Sequence, residues 1–152
     1  MSKSPILELA EKAEFCLNEQ EYGYNEKRAI LFAVLSSPNQ IITLKEITKN
    51  GDVYELLQDK RSVRALAEHD QVLVATCGWA APVNETDDDE IAPSIHPARR
   101  RVRLSCFLCD DGVASVLRFS DTPNEIITDE GKARGSLADA LNTLRKKAKR
   151  QK

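Results

Sequence analysis

The sequence predicts an α+β fold, with N-terminal helices and one C-terminal helix packed on a small antiparallel sheet. Three observations carry this. Apolar residues recur at helical spacing near both ends of the chain. The run Val72–Trp79 is apolar at nearly every position, as in a strand covered on both faces. Asp111-Gly112 separates the alternating segments 101–109 and 113–119, a hairpin signal.

Along the chain, Ser4-Pro5 is cap-then-first-turn chemistry, because proline lacks an amide that the first turn leaves unpaired anyway. Ile6, Leu9, Ala13, Cys16 and Leu17 then line one face of a first helix, with Glu8, Glu11, Lys12 and Glu19 toward water. After Gly23, Asn25 is the cap of an expected second, central helix around Ala29–Leu35, ended by Ser37-Pro38-Asn39. Residues 41–47 fit a short strand or a short helix equally. Asn50-Gly51-Asp52 reads as a turn with Asp52 as a cap, leading into one broken or two short helices over Val53–Ala67. After the Val72 strand comes a connection over 80–98 with three prolines and an acidic run, expected to be mobile. Ser136 with Asp139 resembles a capping box opening the last helix, which carries Leu137, Ala140, Leu141 and Leu144 on one face. The core expected from these elements is Leu31, Val34, Leu35, Leu73, Val74, Val102, Leu104, Cys106, Leu117, Phe119, Leu141 and Leu144.

The length of 152 residues fits one domain over 1–152, and 41% hydrophobic with 30% charged residues is neither a disordered nor a membrane composition. No apolar run is long enough to span a bilayer, and Met1–Pro5 opens no secretory h-region. The expected location is the cytoplasm, with all four cysteines reduced. The formal net charge of −2 hides a strong segregation. Glu85 and Asp87–Glu90 are followed by Arg99, Arg100, Arg101 and Arg103, and a basic tail over 145–152 ends the chain.

A turn at Asp111-Gly112 pairs Cys109 with Ala114, Cys106 with Leu117 and Leu104 with Phe119. Cys106 and Cys109 then point to opposite faces, so their C-x-x-C spacing does not form a metal clamp; only Cys77 and His96 remain as further ligands. No metal or other cofactor is expected. The same register sends Arg101, Arg103 and Arg118 outward on one face, where like charges about 7–8 Å apart repel unless something anionic joins them. The chain's own carboxylates are one candidate, from the acidic loop or a helix. A phosphate or carboxylate ligand is the other, since a guanidinium grips either bidentately.

No nucleophile–base pair, paired-carboxylate dyad or phosphate loop occurs, so catalysis is not the leading expectation. The leading reading is a non-catalytic binding or interaction module. Arg101, Arg103, Arg118, His96 and Trp79 form its surface, and its partner is an unknown protein or an anionic small molecule. On this reading, changing Arg101 and Arg103 to Gln leaves folding nearly intact. A second reading takes residues 26–74, whose element order resembles a winged helix-turn-helix; the resemblance implies a DNA-binding regulator presenting Lys60, Arg61 and Arg64. Near-neutral charge and Gly51 in the presumed turn disfavour nucleic acid. A small enzyme using His96 with the arginines is the third.

Overall fold

A computed structural model describes residues 5–36, 42–80, 100–110 and 112–130, together with Leu141, Thr143, Leu144 and Lys146. The apolar run at Val72 becomes a central strand. β3 (Val72–Ala80) lies between β1 (Ala29–Ser36) and β4 (Arg100–Cys109), antiparallel to both. Val72, Leu73, Val74 and Ala75 are all fully buried, as a strand covered on each face requires. β2 (Ile42–Asn50), β5 (Gly112–Phe119) and β6 (Ile126–Glu130) complete a six-stranded antiparallel sheet in the order β2-β1-β3-β4-β5-β6. Helices are α1 (Pro5–Phe15), continued by a 3-10 turn over Cys16–Asn18, then α2 (Val53–Gln58) and α3 (Lys60–Glu68).

The expected central helix over 29–35 is a strand instead. Its residues Ala29–Val34 are all buried, so no polar position marks a period, and a helix and a strand leave the same signature. The run is eight residues long with β-branched Ile30 and Val34, and it pairs on both sides. Leu35, expected in the core, is 45% exposed because the burial pattern ends at Val34. The order over 29–80 is therefore strand, strand, helix, helix, strand, and the scaffold of a winged helix-turn-helix is not formed.

Alternate residues of the strands enter two apolar clusters. Ile30, Phe32, Val34, Leu73, Ala75, Phe107, Ala114 and Val116 cluster with Ile6, Ala10 and Ala13 of α1 and with Leu17. Ala29, Leu31, Val72, Val74, Cys106, Leu108 and Val113 cluster with Leu56 and Leu57 of α2, Ala65 and Leu66 of α3, and Leu141. Between Leu31 and Phe32 the β1–β2 register shifts, leaving Ile47 unpaired as a bulge. The extra residue sends Ile42 and Leu44 into the first cluster while Ile47 packs on the second, where the buried Thr48 hydroxyl meets Ser62 of α3 at 2.6 Å.

The β4–β5 hairpin forms, with a register two residues from the expected one. Cys109 pairs with Gly112, Cys106 with Ser115 and Leu104 with Leu117. Gly112 sits at φ +133°, a conformation suited to glycine, at the first position of β5 rather than inside the turn. An offset of two preserves side-chain parity, so the faces stand as expected although the partners differ. Cys106 and Cys109 lie in opposite clusters. Leu104 and Leu117 are only half-buried. Leu141, Thr143, Leu144 and Lys146 are helical; the remainder of the expected last helix and tail lies outside the described residues, as does the connection over 81–99. No helix among the described residues is long and apolar enough to cross a membrane.

Candidate functional site

The face of β4 that carries Arg101, Arg103 and Ser105 also carries Phe107 and Cys109, and it is the face on which α1 lies. The expectation that these arginines point outward fails at Arg103, which is fully buried. Arg103 and Arg118 are direct cross-strand partners, a like-charge pair that would repel in isolation. Glu14 of α1, itself fully buried, resolves the conflict. Its Oε1 accepts from Arg118 Nη2 at 2.7 Å, and its Oε2 accepts from Arg118 Nε and Arg103 Nη2, each at 2.8 Å. The Arg118 grip is a two-point fork. Arg103 Nη1 donates to Tyr22 O at 2.6 Å and Asn18 Oδ1 at 3.2 Å, and Arg118 also donates to Pro123 O. Burial pushes the Glu14 carboxyl upward, but hydrogen bonds and charge from Arg118 and Arg103 outweigh it and hold the group below the usual carboxylate range.

Arg100 is answered at the surface. It donates two bonds to the Asp121 carboxylate at 3.1 and 2.8 Å, one to Thr122 Oγ1 at 2.7 Å and one to Glu125 at 3.2 Å, with its guanidinium 3.9 Å over the Phe119 ring. Hydrogen bonds from Arg100 hold both carboxyls below their usual range. An exposed group of this kind orders the turn after β5 and adds little stability.

Arg101 is held differently. Its Nε donates to Tyr24 O at 2.7 Å, and its guanidinium lies 5.0 Å from the ring of Trp79, its cross-strand partner on β3. Among the described residues no carboxylate pairs with it. Trp79 is 39% exposed. Beside them residues 23–28 line an open cleft of about 530 Å³. The main chain over 22–28 is held by side chains that reach it: Arg101 at Tyr24, Arg103 at Tyr22, the Cys77 thiol at Gly23 O (3.2 Å), and the Tyr22 hydroxyl at Arg28 O (2.9 Å). Burial raises the Cys77 thiol and the Tyr22 phenol, so both stay neutral near pH 7.

Of the residues singled out in the sequence, Arg101 and Trp79 are thus together at an open surface. Arg103 and Arg118 belong to a buried ionic cluster, and His96 lies outside the described residues. Glu14, Asn18 and Tyr22 were not anticipated. One signal for Glu14 was present: Ala10, Glu14 and Leu17 fall at i, i+4 and i+7, which puts an acid inside an apolar stripe. Among the described residues no group of three His, Cys, Asp or Glu is placed to hold a metal ion. No protein family, no curated protein and no solved structure matches this chain.

Proposed function

We propose that the chain is a non-catalytic binding module that takes an acidic protein segment at the Trp79–Arg101 end of the sheet, over the segment 23–28. One observation supports this reading above others. Of the four arginines of the hairpin, Arg101 alone keeps both terminal nitrogens clear of any described carboxylate, while its Nε and ring contact hold it in place. A pre-set guanidinium loses little freedom on gripping a carboxylate. The open form of the cleft favours a protein partner, because small-molecule sites enclose most of their ligand. Of the charged residues lining the cleft, Arg28 pairs with Glu26 at 3.8 Å, and Lys27 adds positive charge for the approach of an acidic chain.

Trp79 is the sole tryptophan, so its fluorescence reports the site without a label. Titration with a glutamate-rich peptide at low salt is expected to give a saturable fluorescence change that weakens as salt is added. Arg101→Gln should weaken the affinity about tenfold, the scale of one lost charged hydrogen bond. Absence of a saturable change, or equal affinity for Arg101→Gln, overturns the proposal.

A further inference from the structure

Asn50-Gly51 is the only asparagine–glycine step in the chain; every other asparagine is followed by Glu, Gln or Thr. An asparagine side chain and the next backbone nitrogen can close a five-membered imide, and glycine in second place removes the Cβ that hinders the approach. The fold puts this step where β2 hands over to α2. Asn50 is half-buried and forms the last rung of β2, paired with Ala29 of β1. Gly51 lies beyond the ladder, exposed, with open space where a Cβ would sit. Asn50 Oδ1 accepts from the Asp52 amide at 3.0 Å, an Asx turn that folds the carboxamide back around the intervening Gly51 nitrogen. When Cγ is attacked, negative charge develops on that same oxygen, and the Asp52 N–H already stands at the distance of an oxyanion donor. Asp52 is itself held in place, because its side chain caps α2 through the amides of Tyr54 and Glu55. The ladder and the cap thus fix both ends of the reacting unit and leave Gly51 between them.

We propose that Asn50 is a modification site, deamidating spontaneously in the folded chain by way of a cyclic imide with Gly51. The Gly51 nitrogen gives up its proton to solvent and attacks Asn50 Cγ. A Cγ–N bond forms, the bond from Cγ to Nδ2 breaks, and Nδ2 takes up a proton and leaves as ammonia. Water, the sole co-reactant, then opens the imide at either carbonyl, giving aspartate or isoaspartate with no change of oxidation state. The product carries one more negative charge beside Asp52. As isoaspartate it also lengthens the main chain between β2 and α2 by one carbon, which dissolves the Asx turn.

Incubation of the full chain at mildly alkaline pH, folded and in urea, followed by peptide mapping with mass spectrometry, tests this. A reaction that waited for global unfolding would be slowed by the unfolded fraction, roughly 10⁻³ or less. Turn-level motion costs far less, so the folded rate at Asn50 is expected to lie within about tenfold of the rate in urea. The modified peptide should contain isoaspartate, which direct hydrolysis of the side-chain amide does not produce. In Gly51→Ala the added Cβ meets nothing within 4 Å, so the fold is kept while the reaction should slow severalfold. A wider gap between the folded and urea rates, aspartate without isoaspartate, or an unchanged rate in Gly51→Ala overturns the proposal.

Discussion

At the scale of single residues, Glu14 decides what the hairpin arginines are for. Two guanidiniums facing each other across β4 and β5 read, without their partner, as a site waiting for an anion. One carboxylate from α1 supplies it through three hydrogen bonds, so the pair counts as structure rather than recognition. This also reverses the expectation that Arg103 can be changed to Gln with folding nearly intact. Because the Glu14 carboxyl is held below its usual range, its contribution is fully present above the unfolded carboxylate pKa of about 4.3. That contribution is lost as pH falls through the lower folded value. Glu14→Gln leaves both guanidiniums uncompensated and is expected to cost roughly 3–5 kcal/mol at pH 7 by urea unfolding. The gap between wild type and variant should then narrow on acidification below about pH 4. A variant as stable as wild type at neutral pH would refute the role assigned to Glu14.

At the scale of elements, legibility followed polarity. α1 was readable because its charged face marks the helical period, and β3 because a short apolar run rich in β-branched residues follows the polar residues 68–71. β1 was not, since covering on both sheet faces erased the polar half of its pattern. The hairpin was located but its register slipped by two, an error that parity cannot expose because faces are unchanged. β6 escaped notice: five residues with two terminal acids carry too little pattern. The cap at Asp52 was legible because local chemistry determines it. Asp52 accepts from the amides of Tyr54 at 2.7 Å and Glu55 at 3.2 Å, starting α2 directly after the turn. Asp52→Ala should lower the unfolding free energy by about 1 kcal/mol, read from the urea midpoint at unchanged slope. An unchanged midpoint would mean that packing of Leu56 and Leu57, rather than the cap, sets where α2 begins.

For the whole molecule, the arginines divide by depth. Arg103 and Arg118 join β4 and β5 to α1, and Arg100 orders the turn after β5. Arg101 is left at the surface beside the chain's only tryptophan. The sequence held all four residues and their common neighbourhood, but not this division. It depends on a helix some ninety residues earlier in the chain, a contact that no local pattern encodes. On the proposed function, a partner is met by residues that the fold has not already used. Urea unfolding of Arg101→Gln and Arg103→Gln beside the wild type tests that division most directly. Arg103→Gln is predicted to lose roughly 3–5 kcal/mol by stranding a buried carboxylate's partner network, and Arg101→Gln about 1 kcal/mol or less. Equal losses in the two variants, or an Arg103→Gln chain as stable as the wild type, would contradict it.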